Sequence, residues 1–123
     1  MMEFAEARRA AAVLEALAEP TRLRIVFHLA SGPHHVSQLA ELIGTPMVNM
    51  SHHLGVMRNA GLLQDEKEGR KVIYRFRPEI FTAGNGDEIL GTLAIGPFRV
   101  IIRAQGEVEA LAKPKPKRKN SGK

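Results

Sequence analysis

Cysteine is absent from this chain of 123 residues. That excludes a disulfide framework, a thiolate nucleophile and every cysteine-based zinc, iron–sulfur or redox site. No apolar run approaches the ~18 residues that a spanning helix needs, so no membrane partner is expected. The opening MMEFAEARRAAAVLEAL lacks the charged-then-apolar layout of a secretory signal, and the expectation is a cytoplasmic protein. No nucleophile–base pair, phosphate loop or paired-carboxylate motif is visible, and Gly84-x-Gly86 reads as a turn. An enzyme is therefore not expected, and no cofactor is called for. No histidine follows His53.

What remains has the composition of a globular domain, with 44% hydrophobic and 25% charged residues. The formal net charge of +5 is unevenly spread. The last eleven residues, KPKPKRKNSGK, hold six basic residues and no acid, which leaves residues 1–112 at −1. The high pI therefore belongs to the tail. Residues 113–123 read as a disordered basic tail, either a solubilising end or a non-specific nucleic-acid arm.

Apolar periodicity predicts four helices. Residues 3–18 carry Phe4, Ala7, Ala11, Leu14 and Ala18 at three- and four-residue steps, with Val13 and Leu17 widening the stripe. Pro20 ends that helix and suits the first turn of a second, with Leu23, Val26, Phe27 and Ala30 as its core face. A third helix spans 37–43, with Ser37 as N-cap and Leu39, Leu42 and Ile43 inward. Thr45-Pro46 restarts a fourth over 46–60, with Met50, Leu54, Met57 and Ala60 buried. Two helices joined by a short Gly-containing turn form a helix-turn-helix.

The period then changes to two. LLQDEKEGRKVIYRF reads as a β-hairpin turning at Gly69, and a helix-turn-helix followed by a hairpin is a winged helix. Residues 78–87 read as a loop. Beyond it, the Ile and Val density and the Gly-Pro break favour strands at about 89–94 and 98–103. The rival is a helix from Pro97 with Phe98, Ile101, Val108 and Leu111 inward. The fold class is α+β, mainly α: a four-helix winged helix-turn-helix with an additional C-terminal β segment. The expected division is 1–80 for DNA binding, 81–112 for dimerisation and 113–123 for the tail.

The blocks LAEPTRLRIVFHLASG, VSQLAELIG, MSHHLGVMRNAGLL and EGRKVIYRF, in this order and spacing, resemble the ArsR/SmtB family of bacterial winged-helix repressors. The likeness covers about residues 13–77. It implies a homodimeric regulator that sits on an operator in double-stranded DNA and leaves when an inducer, often a metal ion, binds. The usual family ending, a long dimerisation helix, has no counterpart after residue 80.

A recognition helix enters the major groove by its N-terminal half. That puts Met47, Val48, Asn49, Ser51 and His52 at the DNA. Asn49 suits adenine, Ser51 and His52 suit bases or phosphates, and Met47 and Val48 suit thymine methyls unless they pack on the preceding helix. His53, at the family's helix histidine, reads as a hydrogen-bonded packing group. The helix departs from the family in having no Lys or Arg before Arg58, and Gly55 stands within it. On the wing, Arg70 and Lys71 at the tip and Arg75 on the returning strand, with Arg77 beyond, can supply the missing charge. An ordinary solvated hairpin is the alternative. Residues 51–77 hold six basic and three acidic groups.

Two metal sites are known in the family. His35 and Ser37 stand where one uses a Cys-x-Cys, and serine is a poor soft-metal ligand. The other common site needs Asp and His residues on the last helix. No family-type metal site is expected, and His34 and His35 read as exposed loop residues unless they join a neighbour across a dimer. A small-molecule inducer, if there is one, would bind between the first helix and the C-terminal strands. Phe4, Ala7, Ala11 and Leu14 form the expected dimerisation stripe. The competing function is a winged-helix protein-interaction module with only non-specific DNA affinity.

Overall fold

A computed structural model describes residues 1–104. The expected tail and the rival helix's Val108 and Leu111 lie outside the described residues. The chain forms four helices: α1 (Phe4–Leu17), α2 (Pro20–Leu29), α3 (Val36–Ile43) and α4 (Met47–Asn59). Six strands complete the fold: β1 (His34–His35), β2 (Leu63–Glu68), β3 (Lys71–Phe76), β4 (Phe81–Ala83), β5 (Ile89–Ile95) and β6 (Phe98–Arg103).

The helix ends follow local chemistry. The α1–α2 corner turns at Ala18 and Glu19, and the Glu19 carboxylate accepts the Arg22 N–H at 2.9 Å. Pro20 follows at the first helical position, where its missing N–H costs nothing. The N-cap of α3 is His35 rather than Ser37, because Val36 is already helical; the Gln38 side chain accepts the His35 N–H at 2.8 Å. Gly44 ends α3 with φ 81°, a left-handed conformation that glycine adopts without Cβ strain. Pro46 then sits at the N-cap of α4, not inside it as expected, and its carbonyl accepts the Met50 N–H at 2.9 Å.

The two sheets are antiparallel, with strand orders β1-β3-β2 and β4-β5-β6. Glu68 pairs with Lys71, so Gly69-Arg70 is a two-residue hairpin turn. The structure bears out strands rather than a helix over 89–103. The expected loop over 78–87 contains β4, whose three residues pair with β5. Likewise His34 and His35 are not loose loop residues. They pair with Tyr74 and Ile73 and are half-buried.

Ile25, Leu29, Leu39, Met50, Leu54, Met57, Leu62, Leu63 and Leu93 are the largest fully buried side chains. Leu93, Ile95 and Ile102 of the second sheet join the same cluster as the helices. Phe76 of β3 stacks on Phe81 of β4 with centroids 4.8 Å apart, and Phe81 lies so close over Gly91 that a Cβ there would meet its ring. Two core faces are rotated from the expected ones. In α2, Ile25, Val26 and Leu29 are buried while Leu23 is exposed and Phe27 and Ala30 are half-buried; in α3, Leu42 is exposed. Both helices have apolar residues on overlapping stripes, and packing selected the stripe one step away.

Candidate nucleic-acid interface

Helix α4 buries Met50, Leu54 and Met57 completely. At 3.6 residues per turn this face leaves the opposite one free. Met47, Val48, Asn49, Ser51 and His52 are all exposed. Met47 and Val48 do not bury themselves on α3; they are 53% and 77% exposed. The five residues chosen from sequence therefore share the outer side of one helix. Gly55 has no heavy atom within 4 Å of a Cβ built on it, so no protein packing demands glycine there.

The wing rises beside this helix. A cleft of about 200 Å³ separates them, lined by Ser37 and Val36 of α3, Met47 and Ser51 of α4, and Arg70 and Lys71 of the wing tip. The tip and the start of the recognition helix thus face a common space.

Ion pairing divides the basic residues into two groups. Arg58 reaches Asp65 at 3.2 Å and the Tyr74 hydroxyl at 3.4 Å. Arg75 pairs with Glu66 at 3.3 Å, and Arg77 with Glu79 at 2.8 Å. Glu68 lies 3.5 Å from His35. Lys67, Arg70 and Lys71 form no ion pair with the described residues. The excess positive charge of 51–77 is therefore carried by these three residues at the outer end of the hairpin. Lys67 was not singled out in the sequence; its exposed place on β2, opposite Val72, was the available signal. Arg75 is less free than its sequence position suggested.

A helix-turn-helix domain model matches residues 17–66. The chain is 44% identical over 68 residues to the HTH-type transcriptional regulator NmtR of Mycobacterium tuberculosis, a match covering 55% of this chain and 57% of that one. It thus spans little more than half of that relative. It is 30% identical over 102 residues to the regulator KmtR of the same organism, covering 82% of this chain and 78% of that one. Among solved structures it is similar to the homodimeric winged helix-turn-helix DNA-binding domain of a possible ArsR-family regulator from Mycobacterium bovis. That likeness has a TM-score of 0.59 and 32% identity over 61% of this chain and 69% of that one. The chain belongs to the ArsR/SmtB family of transcriptional regulators.

Within this ArsR-family fold, His53 is nearly buried and turned from the outer side. Its Nδ1 lies 3.2 Å from Arg22 Nη1 and 3.9 Å from Glu19 Oε1, as expected of a hydrogen-bonded packing group. The Arg22 backbone N–H is the largest influence holding the Glu19 carboxyl below the usual range. His28 packs near His34, ring centroids 6.4 Å apart, and burial pushes its pKa down, helped by the charges of His34 and Arg24.

The remaining family positions are also placed. His35 Nε2 faces Glu68, while Ser37 is exposed. No group of three or more His, Cys, Asp or Glu side chains is arranged to hold a metal ion among the described residues. On α1, Ala10, Ala16 and Leu17 are buried against the body, whereas Phe4 (76% exposed), Ala7, Ala11 and Leu14 lie on another face. A second cleft of about 210 Å³ lies between α1 and the second sheet, lined by Glu6, Arg9, Ala10, Val13, Ile80 and Ile95. No helix among the described residues is long and apolar enough to cross a membrane.

Proposed function

We propose that this ArsR-family chain is a sequence-specific DNA-binding repressor that works as a homodimer on an imperfect palindrome. The observation that carries the reading is the shared outer side of α4 and the wing: a neutral reading surface flanked by unpaired cations. Asn49 donates to and accepts from an adenine edge, Ser51 and His52 reach neighbouring bases or phosphates, and Met47 and Val48 contact thymine methyls. Arg70 and Lys71 neutralise phosphates or enter the adjoining minor groove. Arg75 contributes after leaving Glu66.

The dimer forms through the α1 stripe of exposed Phe4, Ala11 and Leu14 with half-buried Ala7, and residues 81–112 add to the interface. Two recognition helices then stand about 34–36 Å apart, one DNA turn. In this reading residues 1–80 bind DNA and residues 113–123 add sequence-independent affinity. No family-type metal site operates, since Ser37 and a His35 engaged by Glu68 replace a thiolate pair. A small-molecule inducer would enter the cleft between α1 and β5.

The test is selection from a random-sequence duplex pool, followed by gel shifts at two salt concentrations with the full chain and a 1–112 truncation. Enrichment of a palindromic sequence that both forms prefer over random duplex is the expected result. The truncation should show a flatter salt dependence, by about 0.9 in log–log slope per lost phosphate contact. Binding only by the full chain, equal for all sequences, would overturn the reading in favour of an interaction module.

A further inference from the structure

Apolar burial decides which side of α4 turns inward, but directional contacts are needed to fix the last few degrees of its rotation. Met50, Leu54 and Met57 are fully buried, yet hydrophobic contact is non-directional. Base recognition is directional: hydrogen bonds need donor–acceptor distances of about 2.7–3.2 Å. With side-chain tips about 6 Å from the helix axis, a rotation of about 15° moves a reading atom by ~1.5 Å, enough to break such a bond.

One directional tie joins the inner side of α4 to the α1–α2 corner. Arg22 Nε donates to the Ala16 carbonyl at 2.6 Å, which anchors the guanidinium at the end of α1. The same guanidinium reaches His53 Nδ1 at 3.2 Å through Nη1. Arginine is always a donor, so Nδ1 is the acceptor and the neutral imidazole carries its proton on Nε2. The Arg22 backbone N–H is held by Glu19, which fixes the start of α2. The ring is largely shielded, at 16% side-chain exposure, so the bond is not freely exchanged with water. Asn49 lies one turn before His53 on the same helix, and His52 is its immediate neighbour.

We propose that His53 is a positioning residue for DNA recognition: as an acceptor for Arg22 it sets the rotation of α4, and with it the aim of Asn49 and His52. This inference rests on the operator-binding reading above.

The test uses the full chain and the duplex enriched by the wild type. The readout is the ratio of affinity for that duplex to affinity for random duplex, at matched folded protein. His53→Leu should lower the ratio about tenfold, with melting temperature within a few degrees of wild type. His53→Asn, whose Oδ1 can stand near the lost Nδ1, should restore the ratio to within about threefold. Arg22→Lys, which keeps the charge but loses the fork, should reproduce His53→Leu, and the double variant should be no worse than either single. An unchanged ratio in His53→Leu, or a His53→Asn variant as impaired as His53→Leu, would overturn the proposal. Should His53→Leu fail to fold, His53→Asn and Arg22→Lys decide by the same criteria. If the wild type enriches no duplex, the operator-binding reading itself fails and this inference falls with it.

Discussion

Helix α4 and the wing lie on either side of one cleft and differ in chemistry. The exposed side of α4 offers Met47, Val48, Asn49, Ser51 and His52, with no Lys or Arg before Arg58. The outer end of the hairpin offers Lys67, Arg70 and Lys71, unpaired among the described residues. Near the base of the hairpin, Arg58 and Arg75 are already answered by Asp65 and Glu66. In the proposed function, affinity and sequence preference are thus drawn from different elements. Net charge is a poor guide to which residues attract a polyanion; what counts is which cations lack a partner.

Variants can separate the two elements. The largest effect is expected from the double substitution Arg70→Ala with Lys71→Ala. Loss of two phosphate contacts should flatten the log–log salt dependence by about 1.8 and cost on the order of ten- to a hundredfold in affinity at low salt. The order of preferred sequences should not change, and gel shifts across a salt series with several duplexes check both points. A changed preference would mean that the wing also reads bases. Next comes Asn49→Ala, which should cost about 1–3 kcal/mol of discrimination at one A·T pair. Here the salt slope should stay the same, and competition between duplexes differing at single positions measures it.

Smaller changes sharpen the picture. Arg75→Ala should cost less than about 1 kcal/mol of stability, because an exposed pair with Glu66 contributes little. Its effect on DNA affinity should fall well below that of the tip pair, because breaking the Glu66 pair offsets part of any phosphate contact; an equal loss would show that the pair offers no resistance. Gly55→Ala should raise stability by about 0.5–1 kcal/mol, since the helical site has room for a methyl group. A fall in DNA affinity alongside that gain would show a DNA backbone passing close to Gly55.

The smallest effect concerns acid. The folded state disfavours charged His28 because burial lowers its pKa from 6.5, with His34 and Arg24 adding to the shift. Below that value the unfolded chain binds the proton more readily than the folded one, so this contribution to stability is present above about pH 6.5 and is lost as pH falls. His28→Gln should therefore narrow the melting-temperature difference between pH 7 and pH 5. An unchanged difference would place the acid sensitivity elsewhere.

Much of the candidate interface was legible because α4 is strongly patterned. Once Met50, Leu54 and Met57 face inward, the 3.6-residue period leaves Asn49, Ser51 and His52 outside, whatever the rest of the fold does. The wing was legible from alternation in β3 and from Gly69 at the turn. Leu23 and Leu42 were misread because a short helix with apolar residues on two stripes can bury either. His34-His35 and Phe81–Ala83 were missed as strands because two or three residues carry too little periodicity; their ladders with β3 and β5 define them.

Local order in the chain determined the four helices, the hairpin and the family, since caps, periods and turn residues act within a few positions of one another. Tertiary structure decided which cations stay free, which of two apolar stripes is buried, and that His53 meets Arg22. Those outcomes depend on side chains far apart in sequence arriving within about 4 Å, a distance at which one carboxylate can answer the charge of a guanidinium.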